Sequence, residues 1–94
     1  MPQLELIWAE EAIQSFTDLL ERRNNKKAVQ ACVEGHLLAV AANPAIARSD
    51  PGPRDLLLYR FVCRDNGTTL NLQAEFAPID SERIGVVSVS SIAL

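Results

Sequence analysis

The pattern of apolar and polar residues predicts a short strand followed by two helices. Residues 4–8 alternate, with Leu4, Leu6 and Trp8 on one side, which is typical of a strand with one buried face. From residue 9 to residue 20 the apolar positions recur every three or four residues, which indicates an amphipathic helix. Glu10 and Glu11 fall in its first turn, where negative charge complements the helix dipole.

A second helix is predicted over residues 26–42. Asn43-Pro44 ends it, because the residue before a proline avoids the helical region. The joint at Asn24-Asn25 is short, so the two helices are expected to form an antiparallel hairpin whose inner faces meet. Arg22 and Arg23 are expected in the last turn of the first helix. Residues 45–53 are rich in turn-forming residues and are interpreted as a loop.

The Asn66-Gly67 pair predicts a two-residue type I′ turn between two strands. Taking this pair as the loop sets the register of the hairpin and places four facing pairs of side chains on the core side. These pairs are Cys63 with Leu70, Phe61 with Leu72, Tyr59 with Ala74, and Leu57 with Phe76. Because turn chemistry and hydrophobic alternation select the same register, the hairpin is the best-determined part of the prediction.

A last strand, rich in valine, isoleucine and serine, is predicted from Arg83 to Ile92. The predicted fold class is therefore α+β, with an N-terminal strand, a helical hairpin and a three-stranded antiparallel meander. Residues 1–94 are expected to form a single domain, since the chain has room for one two-layer core.

Charge and hydropathy narrow the functional classes. Nine basic and 12 acidic residues give a formal net charge of −3, which argues against broad, non-specific binding of nucleic acid. The longest stretch without a charged residue, residues 35–47, is too short to span a bilayer. We therefore expect a cytoplasmic protein that does not contact membranes.

The cysteine and histidine content predicts neither a metal site nor a cofactor. Cys32 and Cys63 lie far apart, and with a single histidine they do not form a zinc-ligand pattern. The two cysteines are expected to be reduced, buried thiols that pack as small hydrophobic groups. His36 lies within the apolar stripe of the second helix, so we expect it at the edge of the core, bonded to a carbonyl group.

Several short motifs, in order along the chain, resemble the RelE/ParE toxin superfamily. Trp8-Ala9-Glu10-Glu11-Ala12 matches the family's strand end and helix start, and Asn43-Pro44 matches the end of its long second helix. Arg54 and Tyr59-Arg60 match an arginine followed by a Tyr-Arg strand. The resemblance implies a helical hairpin packed on a curved antiparallel sheet. It also implies a toxin of a toxin–antitoxin module, silenced by an antitoxin, that cleaves messenger RNA on the ribosome or poisons DNA gyrase.

The resemblance also names candidate site residues for RNA cleavage. A metal-independent endoribonuclease needs cations to stabilise phosphorane charge, and the matching positions are Arg54, Arg60, Arg64 and Arg83. The alternative is that Arg60 belongs to a solvated polar face. The final strand lacks the histidine, arginine or tyrosine with which the family's last strand commonly ends. We therefore expect a ParE-like or degenerate protein that acts by macromolecular binding, with a RelE-like, metal-independent endoribonuclease of messenger RNA as the alternative.

Two further surfaces are candidates for partner binding. Residues 22–27 form the chain's basic cluster, and the candidate contacts for nucleic acid or an acidic partner are Arg22, Arg23, Lys26, Lys27, Arg60 and Arg64. Solvated helix ends and a turn already explain the cluster, and partner contact is the second interpretation. The uncharged residues 84–89 suggest a third possibility, a non-enzymatic dimerisation module. If that strand lies at a sheet edge, it invites pairing with a second copy or with an antitoxin strand.

Overall fold

The fold is α+β, as the sequence predicts. A computed structural model describes residues 3–49 and 55–92 of the chain. In chain order the elements are β1 (Glu5–Trp8), α1 (Glu10–Glu21), α2 (Lys26–Ala42), one 3-10 turn (Pro44–Ile46), β2 (Arg48–Ser49), β3 (Leu57–Asp65), β4 (Thr68–Pro78) and β5 (Arg83–Ser91). Within these residues, neither helix combines the length and the apolar character needed to cross a bilayer.

The strands form one five-stranded mixed sheet in the order β1-β5-β4-β3-β2. The predicted antiparallel meander is present as β3, β4 and β5, but it is the middle of a larger sheet. β1 pairs with β5 in parallel, and β2 pairs with β3 in antiparallel orientation. The interpretation of residues 45–53 as a loop is wrong at Arg48–Ser49, because Arg48 pairs with Leu58 and extends the sheet. Residues 50–54 lie outside the described part of the chain.

The β3–β4 register agrees with the sequence prediction at every predicted pair. Phe61 lies opposite Leu72, and the two strands are joined through Asn66 and Gly67. Both turn residues have positive φ, +50° at Asn66 and +89° at Gly67, as a type I′ turn requires. The turn residues therefore set which side of each strand faces the core.

The last strand does not lie at a sheet edge. Over Ile84–Val86, β5 pairs with β1 on one side and with β4 on the other. Farther along, the Val89 N–H donates a hydrogen bond to Ser15 Oγ of α1 at 3.2 Å. Because neighbouring groups already occupy these positions, the condition for dimerisation through β5 is not met there.

Both helices lie on the same face of the sheet and bury its apolar side chains. α1 rests mainly on β5 and α2 on β3, and the two helices contact each other less than either contacts the sheet. The expected contact between the inner faces of the helices is therefore only a minor part of the packing. The largest fully buried side chains include Phe76, Leu37, Leu72, Ile84, Val33 and Val86.

The helix ends differ in part from prediction. Glu10 and Glu11 occupy the first turn of α1, as predicted. The placement of Arg22 and Arg23 in its last turn is wrong, because α1 ends at Glu21 and Arg22 is the C-cap. Arg23 nevertheless satisfies the end of the helix, since its Nε donates to the Leu19 carbonyl at 3.1 Å.

Candidate functional site

A buried carboxylate joins the β3–β4 turn to the joint between the helices. Asp65 is only 3% exposed, and its two carboxylate oxygens accept the backbone N–H groups of Asn24 at 2.9 Å and Asn25 at 2.7 Å. These two hydrogen bonds, together with the charge of Arg23, hold the pKa of Asp65 below its ordinary value. This contact, which was not predicted from the sequence, brings two distant turns to the same end of the molecule.

That end of the molecule carries most of the candidate basic residues, and we call it the basic end. It consists of Arg22, Arg23, Lys26 and Lys27 at the helix joint and Arg64 beside Asp65. Arg64 is exposed on the opposite face of the sheet from Asp65, since successive strand residues point to opposite sides. Its Nη1 lies 3.5 Å from the Gly67 carbonyl oxygen. The strand arginine, 37 positions or more from the sequence cluster along the chain, thus lies at the same end of the molecule, with its side chain on the other face of the sheet.

Arg60 lies on the outer face of β3, away from the helices. Its Nε donates to Gln73 Oε1 at 3.2 Å, and the side chain is exposed. Arg60 and Arg64 are four residues apart on one strand, so their Cα atoms are separated by about 13 Å. With Val62 exposed between them, the two arginines flank an apolar position on a solvated surface.

Arg83 lies at the far end of the sheet and is already paired. Its Nη2 contacts Asp80 Oδ2 at 2.6 Å, and this ion pair raises the pKa of Arg83 and lowers that of Asp80. Arg64 lies opposite Thr69 at the start of β4, whereas β5 begins beside Pro78 at its end. That separation along β4 is about 30 Å. Arg54, the fourth cleavage candidate, lies outside the described residues, and the other three are not brought together.

Cys32 of α2 and Cys63 of β3 form a disulfide, with their Cα atoms 6.0 Å apart. The prediction of two reduced thiols is therefore wrong. Its physical reason is the packing of α2 on β3, which brings Cys32 next to the inward-facing Cys63 at a separation typical of disulfides. Neither cysteine's position along the chain reveals this contact.

His36 lies one helical turn beyond Cys32, on the same face of α2. Its Nδ1 is 3.1 Å from the Tyr59 hydroxyl, and its ring stacks on Phe61 with centroids 4.7 Å apart. The predicted position at the core edge is confirmed, but the predicted carbonyl partner is wrong, since the partner is a hydroxyl. Tyr59 points to the core side, as its register predicts.

The sulfur and imidazole groups of Cys32, His36 and Cys63 lie within 4.8 Å of one another. We call these three residues the sulfur–imidazole cluster. The wide spacing of the two cysteines and the single histidine had argued against a ligand set, because neither shows which residues meet in the fold. The signal that could have found it is the combination of the helical pair at positions 32 and 36 with the inward-facing register of Cys63.

The basic end and the sulfur–imidazole cluster are the two features from which a function can be argued. The basic end forms where the helix joint meets the β3–β4 turn, and the sulfur–imidazole cluster forms where α2 packs on β3. Protein-family models, curated proteins and solved structures were all compared with this chain, and none of them matches it.

Proposed function

We propose that this chain is a toxin-like component of a toxin–antitoxin system that acts by macromolecular binding, in a ParE-like or degenerate manner. The order of strand, two helices and antiparallel meander, with both helices on one face, is consistent with that proposal. The observation that carries it is the basic end, where Asp65 holds the helix joint against the β3–β4 turn.

The basic end gives this acidic chain a local surface of opposite sign. Four cations fall within residues 22–27, where no acidic residue intervenes, although the whole chain has a net charge of −3. At physiological ionic strength, exposed charges act over about 8 Å, so a cluster of this kind keeps its own local potential. Such a surface favours association with an acidic protein segment or a polyanion and raises the rate of encounter.

The partners that fit this surface are an antitoxin-like protein or a target such as gyrase. RNA or the ribosome would also present the negative charge it requires. Cleavage of RNA, however, needs several cations around one phosphate. Arg64 and Arg83 lie at opposite ends of β4, and Asp80 already neutralises Arg83, which favours binding over cleavage.

Inducible expression in bacteria tests the proposal directly. We expect the wild-type protein to arrest growth, and co-expression of the product of an adjacent gene to relieve the arrest. A triple variant with Arg22→Ala, Lys26→Ala and Lys27→Ala should grow, because it loses the exposed cations of the helix joint and retains Arg23, whose side chain bonds the Leu19 carbonyl at the end of α1. Arg48→Ala is the control for loss of an exposed cation away from the basic end, since it lies on β2.

The possible results separate the hypotheses. Harmless expression of folded wild-type protein would overturn the toxin proposal. Arrest by the triple variant at the wild-type level would show that the basic end is not the contact surface. Cleaved messenger RNA in arrested cells, lost in an Arg60→Ala variant, would replace binding by the endoribonuclease alternative.

A further inference from the structure

The sulfur–imidazole cluster has the donor atoms of a zinc site. Two thiolates and one imidazole are ligands that Zn²⁺ accepts, and three protein ligands leave a fourth position for water. With Zn–S and Zn–N bonds of about 2.3 and 2.0 Å, tetrahedral geometry places neighbouring ligand atoms about 3.5–3.8 Å apart. The His36 ligand atom lies within 4.8 Å of both sulfurs and would have to approach them by about 1 Å, whereas the two sulfurs, bonded to each other in the oxidised state, would have to move apart by about 1.7 Å.

We propose that Cys32, His36 and Cys63 form a three-ligand site for Zn²⁺ once the disulfide between the two cysteines has been reduced. A dithiol supplies the two electrons and two protons that convert the disulfide to two thiols, and is itself oxidised to a disulfide. Metal binding then releases the two thiol protons to solvent as both sulfurs coordinate as thiolates. The two oxidation states therefore use the same sulfurs for alternative links between α2 and β3.

The surroundings of His36 hold its ring and engage one of its two nitrogens. When Nδ1–H donates to the Tyr59 oxygen, Nε2 carries the lone pair that a metal ion needs. Stacking on Phe61 restricts rotation of the same ring. An imidazole whose second nitrogen is held by a hydrogen bond is the usual arrangement of a metal-bound histidine, and Tyr59 is the positioning residue here.

Once the disulfide is reduced, the burial and the negative charge of the two cysteines favour binding of Zn²⁺. Cys63 is 2% exposed, whereas Cys32 and His36 are half-buried, so solvent reaches one side of the cluster. Two thiolates would be costly to hold together in a partly buried position, because like charges repel and burial disfavours the ionised forms. One Zn²⁺ balances both negative charges and leaves a neutral site when the imidazole is neutral.

Metal titration of untagged protein tests the proposal. The chain is reduced with dithiothreitol, freed of reductant by gel filtration under nitrogen, and titrated near pH 7 with Co²⁺, followed by Zn²⁺ in competition with a chromophoric chelator. We expect one Co²⁺ per reduced chain, a thiolate-to-cobalt charge-transfer band, and displacement of Co²⁺ by Zn²⁺. The oxidised protein should show neither the band nor the stoichiometric binding.

Three variants distinguish Zn²⁺ binding at the sulfur–imidazole cluster from Zn²⁺ binding elsewhere on the protein. His36→Gln should weaken Zn²⁺ binding by more than about 10-fold, and Tyr59→Phe by about 10-fold through the lost hydrogen bond. Glu34→Gln, on the same helix but outside the cluster, is the matched control and should bind as the wild type does. Equal Zn²⁺ affinity in wild type and His36→Gln would overturn the proposal, as would the absence of a thiolate band in the reduced wild type.

A second measurement keeps the test decisive if His36→Gln does not fold. His36 is the only histidine of the chain, so its imidazole gives a single set of ring resonances. One equivalent of Zn²⁺ should shift these resonances in the reduced wild type and leave them unchanged in the oxidised protein. Unchanged resonances in the reduced protein would exclude His36 as a ligand.

Discussion

The same substitution, glycine to alanine, should have opposite effects at two positions of this fold. Gly67 occupies the β3–β4 turn with φ at +89°, and Gly35 lies in the interior of α2 with its surface exposed. Within the described residues, a methyl group at either position would meet no heavy atom within 4 Å. Steric collision is therefore absent at both sites, and backbone conformation alone decides the sign.

The magnitudes follow from the two backbone conformations. At Gly67, an L-residue held in the left-handed region costs about 1–2 kcal/mol, so Gly67→Ala should lower the free energy of unfolding by that amount. At Gly35, alanine is favoured over glycine in a helix interior by about 0.8–1.0 kcal/mol, so Gly35→Ala should raise it. The two variants should then differ by about 2–3 kcal/mol, or roughly 8–24 °C in Tm for a domain of this size.

Urea unfolding provides the assay, followed by the fluorescence of the single tryptophan, Trp8, and by far-ultraviolet circular dichroism. Equal slopes of the unfolding free energy against urea would indicate that the variants unfold from comparably compact states. The reasoning is refuted if Gly67→Ala matches or exceeds the wild type in stability, or if Gly35→Ala is less stable than the wild type.

Three further predictions concern the core, the crosslink and the acid response. The Cys32–Cys63 disulfide closes a loop between residues 31 positions apart, so its reduction should lower the free energy of unfolding by about 3.7 kcal/mol. The measurement is urea unfolding with a metal chelator present, and an unchanged urea midpoint would contradict the prediction. Phe76→Ala should cost about 3–5 kcal/mol by calorimetry, because Phe76 is fully buried, whereas exposed Val62→Ala should stay within about 0.5 kcal/mol. Because the pKa of Asp65 is lowered in the folded state, its carboxylate stabilises the fold above the unfolded pKa of about 3.9, and this stabilisation is lost as pH falls through the lower folded pKa. Asp65→Asn should therefore flatten the dependence of Tm on pH between about pH 5 and pH 2. A pH profile of Tm unchanged from the wild type would exclude the stabilising role of the Asp65 carboxylate.

Local chemistry made the hairpin predictable from the sequence. Asn66 and Gly67 select a two-residue turn, and the alternation around Phe61 and Leu72 then leaves a single register that buries one face. Both signals lie within about twenty residues of one another, so no knowledge of the rest of the fold is needed. The helix boundaries of α2 were predictable for the same reason, since Asn25 and Pro44 lie next to them.

Contacts between distant segments could not be predicted in this way. Nothing near Asp65 indicates that its carboxylate meets the Asn24 and Asn25 amides, because that contact depends on how the helix joint sits above the β3–β4 turn. The Cys32–Cys63 contact likewise depends on the rotation of α2 about its axis. The basic end and the sulfur–imidazole cluster both arise from such contacts, so the candidate sites were less predictable than the fold.

The parallel pairing of β1 with β5 also affects how the chain reaches this fold. Glu5 lies beside Arg83, so β1 has no strand partner until β5, 78 positions farther along the chain, has left the ribosome. The β3–β4 ribbon, by contrast, closes through a two-residue turn and can form early at little entropic cost. During synthesis the hydrogen-bonding edge of β1 therefore stays unpaired until β5 is available, and pairing of that strand is expected among the final, slower events of folding.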